Sequence, residues 1–201
     1  MIKNFTPVVL FYVWTSCFPL MAQVSPQWTD SEIMRANTGK DVTYLNDVEK
    51  EAILCLNLAR LYPQKFIDLE LKDFNGTPKY GDYLKKSDYK KSLIRELKNM
   101  EPLDPLIPNA EMTLNAKCFA DEMGASGYVG HERDKCPEGN YAECCSYGMT
   151  TGKEIILQLL IDDKVTSLGH RKICLKSTYL KIGIATSDHV KWGSCSVLEF
   201  I

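Results

Sequence analysis

The order of patterns along the chain predicts an α+β fold, with helices packed against an antiparallel sheet. Apolar residues recur at helical spacing at Val48, Ala52, Ile53, Leu56, Ala59 and Leu61, and again at Ile155, Ile156, Leu159 and Leu160. Near the C terminus the period changes. Leu180, Ile182 and Ile184, then Val190, Trp192, Val197 and Phe200, alternate on either side of Ser187-Asp188, the pattern of a terminal hairpin. Helices first and strands last describe layered α+β packing rather than alternating βαβ units.

The elements follow from local signals. Gln23 to Tyr44 is polar and aperiodic and reads as an extended or poorly ordered lead-in. Asn46-Asp47-Val48-Glu49 has the form of a capping box, so the first long helix starts there and runs to about Leu61, with Pro63 opening a new turn. Asn75-Gly76 and Gly81 mark a loop, and a second helix covers Tyr89 to Met100. Pro102, Pro105 and Pro108 stop any helix beyond it. A third helix spans Glu111 to Met123 and ends at Gly124 and Gly127. Cys136 to Gly148 reads as a loop with a short strand, and Thr151-Gly152-Lys153-Glu154 as a second capping box, opening a helix drawn from Gly152 to Val165.

A length of 201 residues, 45% hydrophobic and 25% charged, suits one globular domain with an N-terminal extra. The formal charge of -2 and a pI near 6.0 give no global basic character, so nucleic acid is not an expected partner. Residues 1–22 hold Lys3, an apolar run from Pro7 to Leu20, and Leu20-Met21-Ala22, the tripartite pattern of a signal peptide cleaved after Ala22. Thr15, Ser16 and Pro19 interrupt a run already short for a span, so no transmembrane segment is expected in the mature chain. Trp14 is a poor match for a lipid-attachment signal at Cys17. Removing Cys17 leaves seven cysteines, enough for up to three disulfides in an oxidising compartment. The expected location is therefore secreted or otherwise extracytoplasmic, in a periplasm or at a cell surface.

Three stretches carry the chemistry: Gly130-His131-Glu132-Arg133, Tyr141-Ala142-Glu143-Cys144 and Leu168-Gly169-His170-Arg171. They hold two of the three histidines and a carboxylate between them, a set able to bind a cation or a polar ligand. On a wheel of roughly 100 degrees per residue, Asp163 falls between Ile156 and Leu160 on the buried face, while Asp162 groups with Glu154 and Gln158 on the polar face. A buried carboxylate needs a cationic or donor partner, which adds Asp163 to the site. The blander readings are that His189 is a surface residue of the hairpin turn, that Glu132 and Arg133 are solvated, and that Cys144 and Cys145 are disulfide partners. A zinc site from His131, Cys136, Cys144 and His170 lacks the CxxC pairs of structural zinc centres.

These residues resemble those of the CAP superfamily, the sperm-coating-protein-like extracellular domains, in its bacterial form. Leu56-Asn57-Leu58-Ala59-Arg60 with Pro63 and Phe66 resembles the family's first helix, and Ala116 to His131 its helix ending in a histidine. Ala142-Glu143 stands where the family has Gly-Glu-Asn, Leu160-Ile161-Asp162-Asp163 where it has Trp-x-x-Glu, and Leu168-Gly169-His170-Arg171 where it has Gly-His-Arg. Ile182-Gly183-Ile184 and Val197 to Phe200 match its closing strands. The resemblance covers residues 44–201 after a 23–43 extension, and implies a three-layer α-β-α sandwich with a central antiparallel sheet. It also implies a cleft tetrad of His131, Glu143, Asp163 and His170. The chain departs from the pattern in having Ala142 before the glutamate, Cys144 after it, and the shorter Asp163 in place of glutamate.

The function expected from this reading is a secreted binding module rather than an enzyme. Its cleft would bind a divalent cation through His131 and His170, Zn²⁺ best suiting two neutral imidazoles, with Glu143 and Asp163 orienting them. The resemblance associates such domains with an unidentified protein, lipid or small-molecule ligand. The alternative is a metal-dependent hydrolase, a peptidase or esterase, with Glu143 as general base. The sequence holds neither an HExxH pair nor a Gly-x-Ser-x-Gly elbow.

Overall fold

Each long helix starts where a side chain closes its first turn. In a computed structural model describing residues 24–201, α1 (Asp30–Ala36), α2 (Asp47–Leu61) and α6 (Gly152–Ile161) all begin with complete capping boxes, on Thr29/Glu32, Asn46/Glu49 and Thr151/Glu154. A short α3 (Pro63–Phe66) follows α2 and runs into one π-helical turn (Ile67–Leu71). Ser87 caps α4 (Asp88–Asn99) and Asn109 caps α5 (Ala110–Ser126), which ends on Gly127 in the left-handed region. The signal-peptide expectation for residues 1–22 lies outside the described residues, and no helix among the described residues is long and apolar enough to cross a membrane.

Four strands form one sheet in the order β1-β3-β4-β2: β1 (Ile107–Pro108), β2 (Ala142–Tyr147), β3 (Lys181–His189) and β4 (Gly193–Phe200). A last short helix, α7 (Gly169–Cys174), lies between α6 and β3. The long strands pair antiparallel, Ile184 opposite Leu198 and Cys145 opposite Val197. The sheet is nonetheless mixed rather than purely antiparallel, because β1 joins β3 in parallel. The proline-rich stretch cannot continue α4. It runs extended along the β3 edge, where Ile107 N–H donates to Leu180 O (2.9 Å) and Asn109 N–H to Ile182 O (2.8 Å).

Strand alternation divides the core in two. Cys144, Ile182, Ile184, Leu198 and Phe200 face α2, α4 and α6, while Cys145, Ala185, Cys195 and Val197 face Phe119, Ala120 and Met123 of α5. Helices thus cover both faces of a central sheet, as the α+β expectation required. The lead-in is part of this body rather than poorly ordered. Trp28 and Ala36 are buried, and Trp28 Nε1–H donates to Glu70 Oε1 at 2.7 Å. Asn57 of α2 fastens it further, donating to Ala36 O (2.9 Å) and Leu106 O (3.0 Å) and accepting from Leu106 N–H (2.7 Å). Arg60, one turn on, is fully buried and donates to the carbonyls of Asp104, Cys174, Lys176 and Tyr179.

Candidate functional site

Beside β2 opens a cavity of about 490 Å³. Leu84, Val129, Leu159, Ile161 and Val165 supply apolar wall, and His131, Cys145, Asp162, Asp163 and His170 supply polar groups. Such a mixture suits a ligand with an apolar body and a polar or metal-coordinated end.

His131 follows Gly130, whose φ of 151° few other residues adopt. Its Nδ1 is 2.8 Å from Glu143 Oε1 on β2, and its ring is 56% exposed. The hydrogen bond to Glu143 pushes the imidazole pKa above its ordinary value, against the opposing effects of burial and of Arg133. Cys145 projects from the same face of β2 two residues on, with Sγ 3.8 Å from His131 Nδ1 and 3.7 Å from Glu143 Oε1. One ligand atom from each of His131, Glu143 and Cys145 lies within 4.8 Å of the other two, so the group could hold a metal ion.

Cys144 and Cys145 are both free thiols in the structure and are not joined to each other; the one disulfide among the described residues joins Cys118 to Cys136. Strand alternation explains why the two do not pair with each other. Adjacent residues of β2 point to opposite faces, so Cys144 and Cys145 enter different cores. Cys145 is thus a free cysteine beside a histidine, the first requirement of a thiol nucleophile. The rest of that chemistry is missing from the geometry. Glu143 and Cys145 both approach the same ring nitrogen, whereas a triad needs acid and nucleophile on opposite nitrogens. Burial and the Glu143 carboxylate push the Cys145 thiol far above its ordinary pKa.

Arg133 is not solvated. Its side chain is 6% exposed and lies over the Phe119 ring at 4.3 Å. It bridges Glu143 Oε2 and Glu199 Oε1, the latter at 2.9 Å. Those two glutamates are direct cross-strand partners, an arrangement that would repel without the guanidinium between them. Both oxygens of Glu143 are therefore engaged, one by His131 and one by Arg133. Glu199 was not foreseen. Its alternation with Leu198 and Phe200 marks the opposite, α5-facing side of β4, and Arg133 comes from a loop 66 residues away.

Burial raises the Glu199 carboxyl from 4.5 to about 7, against the lowering pull of Arg133. The folded protein then holds a proton that the unfolded chain has released. This stabilisation is fully present below pH 4.5 and is lost as pH rises to about 7. The raised His131 pKa acts in the same sense, but only from 6.5 upward. Glu199→Gln keeps an acceptor for Arg133 and removes the titration. Its melting temperature should change less with pH between 4.5 and 6.5 than that of the parent chain, and superimposable profiles would remove this role from Glu199.

His170 sits in the first turn of α7 on the same cavity, 25% exposed. Its carboxylate partner is not Asp163. Asp162, 2% exposed, accepts from the His170 backbone N–H through Oδ2 (3.1 Å) and holds His170 Nδ1 through Oδ1 (2.7 Å). The wheel failed because α6 stops at Ile161, and Asp162 turns left-handed at φ 55°. Asp163 lines the cavity, half-buried, and accepts from Ser87 Oγ–H at 2.5 Å. Each cleft histidine therefore has Nδ1 against a carboxylate, which fixes its tautomer and ring orientation.

His189, read as a surface residue, is 2% exposed. Its Nδ1 accepts the backbone N–H groups of Lys191 (3.2 Å) and Trp192 (3.3 Å), so its Nε2–H donates to Tyr128 O at 3.0 Å. It closes the β3–β4 turn and plays no part in the cavity. No family model matches the chain, and no curated protein matches it.

Proposed function

We propose that this chain is an exported binding module of the CAP type, whose cleft takes up a transition-metal cation of the Zn²⁺ class and uses the occupied cleft to hold a ligand. The observation that carries the proposal is the approach of His131, Glu143 and Cys145 to within 4.8 Å of one another on the wall of a cavity. A mixed nitrogen, oxygen and sulfur donor set favours Zn²⁺ over the hard cations Mg²⁺ and Ca²⁺, which seek oxygen alone.

The spacings fit such an ion. Tetrahedral Zn²⁺ holds neighbouring N, O and S ligands about 3.3 to 3.8 Å apart. Cys145 Sγ already stands 3.8 Å from His131 Nδ1 and 3.7 Å from Glu143 Oε1. The 2.8 Å hydrogen bond between His131 and Glu143 must open, and the cation displaces its proton and that of the Cys145 thiol into solvent. His170, across the cavity, is the candidate for a further ligand. The apolar wall would take the body of a lipid, a small molecule or a peptide from a protein partner.

Calorimetric titration of Zn²⁺ into the protein tests the reading. Binding should be saturable, and both His131→Ala and Cys145→Ser should weaken it by about 100-fold or more, at or beyond the upper end of what loss of an outer-shell partner costs. Mg²⁺ should give no heat. Identical isotherms for the parent and both variants would remove the metal reading.

A further inference from the structure

The cavity is bordered by two elements distant in sequence, β2, which carries Glu143 and Cys145, and α7, which carries His170. A second pair of cysteines lies where these elements meet. Cys144 on β2 and Cys174 at the end of α7 are both 0% exposed and belong to the same core cluster. Cys144 Sγ lies 3.8 Å from the carbonyl oxygen of His170. Cys174 is four residues beyond His170 in one helix, so its side chain stands on the same face, next to the point Cys144 touches. After burial itself, the Cys174 thiol is the group acting most strongly on the Cys144 thiol.

We propose that Cys144 and Cys174 form a disulfide that staples β2 to α7 across the floor of the cleft. Among the described residues, the other free thiols have no comparable neighbour in this arrangement. Cys145 points to the opposite face of β2, and Cys195 donates to Ala120 O in the α5 core. Cys55 lies within α2, where the charged groups acting on it are Glu70, Lys153 and Glu51.

The chemistry needs an oxidant of the disulfide class, such as glutathione disulfide or a protein dithiol oxidase. One protein thiolate attacks the oxidant, forming a mixed disulfide and releasing one reduced thiol. The second protein thiolate then displaces the other half of the oxidant. Two thiols lose two protons and two electrons, and the oxidant is reduced to two thiols. Both sulfurs are sealed in the folded core, so the exchange takes place during folding, before α7 docks. Once formed, the bond is shielded from reductants by the same burial. It would hold the His170 backbone against the strand bearing Glu143, so the two halves of the cleft could not separate.

The test is covalent and independent of whether the cleft binds metal or the chain is exported. The full chain is refolded with a reduced/oxidised glutathione couple, alkylated while denatured but unreduced, and digested with trypsin. Residues 173–176 form one small peptide containing Cys174, and residues 136–153 form another containing Cys144. Mass spectrometry should find the first linked to the second, with fragmentation placing the bond on Cys144. The 136–153 peptide should also remain joined through Cys136 to the peptide containing Cys118. Recovery of 173–176 with an alkylated thiol, its linkage to any other peptide, or a bond assigned to Cys145 or Cys136 would overturn the proposal.

Discussion

Arg171→Ala should destabilise the protein by about 3 to 5 kcal/mol, the range for removing one member of a buried charged network. Its side chain is 1% exposed and serves five acceptors. Nε donates to Leu160 O (2.7 Å), Nη2 to Ile161 O (2.8 Å) and Tyr89 O (2.9 Å), and Nη1 to Ser92 Oγ (2.9 Å) and Glu96 Oε2 (3.2 Å). Leu160 and Ile161 end α6, so their carbonyls have no acceptor role within the helix and would be left dry and unpaired by truncation. For a domain of this size the loss corresponds to a fall in melting temperature of about 10 °C. Arg171→Lys should recover little, since one ammonium cannot reach partners spread around a planar fork. Urea unfolding of the three proteins measures this directly. A change below about 1 kcal/mol for the alanine variant would mean that water replaces the guanidinium and that the clamp is dispensable.

That expectation separates two neighbours which the sequence presents as one motif. In Leu168-Gly169-His170-Arg171 the histidine turns toward the cavity and the arginine turns away, into the joint between α4, α6 and α7. The same division holds earlier in the chain. Asn57 and Arg60, part of the motif in the first long helix, tie loops to α2 and touch nothing in the cleft. Much of what makes the motifs recognisable is therefore scaffold, and the cleft chemistry occupies few positions within them.

What could be read from the sequence depended on how local its cause was. The capping boxes at Asn46 and Thr151 involve residues three apart, so the starts of α2 and α6 were legible. The Thr29/Glu32 box carries the same signal, but the segment around it lacks an apolar period and so does not read as a helix. Its burial comes from Glu70 and Asn57, far along the chain. The period-2 pattern placed β3 and β4, but the turn falls after His189 rather than at Ser187-Asp188. A histidine beside an aspartate looks exposed. Its ring is instead filled by the two N–H groups of the turn it closes. Arg133 looked solvated for a similar reason, since Glu199, the second of its two glutamates, arrives on a strand 66 residues further on. His131 and Glu143, expected in one cleft, are hydrogen-bonded, whereas Cys145, expected as a disulfide partner, stands beside them as a possible ligand. The signal was available, because i and i+2 on a strand share a face and Glu143 had already been assigned to the cleft.

Asp162 and Asp163 give the sharpest comparison, because a helix wheel and the folded chain rank them in opposite order. Asp162→Ala removes the acceptor for two backbone N–H groups at the start of α7 and for the His170 ring, and it places alanine at φ 55°. The loss of charge-assisted bonds and the left-handed backbone together should cost about 2 to 4 kcal/mol. Asp163→Ala loses the bond from Ser87 at a half-buried position and should cost about 1 kcal/mol or less. The same pair also tests whether His170 joins the cation. An imidazole released from its carboxylate should bind metal about 10-fold more weakly, so Asp162→Ala should lower Zn²⁺ affinity while Asp163→Ala leaves it unchanged. Asp162→Asn, which tolerates the left-handed backbone and keeps one oxygen toward His170, should fall between the two. If stability alone follows this order and affinity does not move, His170 is held in place by Asp162 without ligating, and the metal rests on His131, Glu143 and Cys145. If Asp163→Ala proves the more damaging variant on both counts, the helix continues past Ile161 in solution and the wheel was right about which carboxylate turns inward.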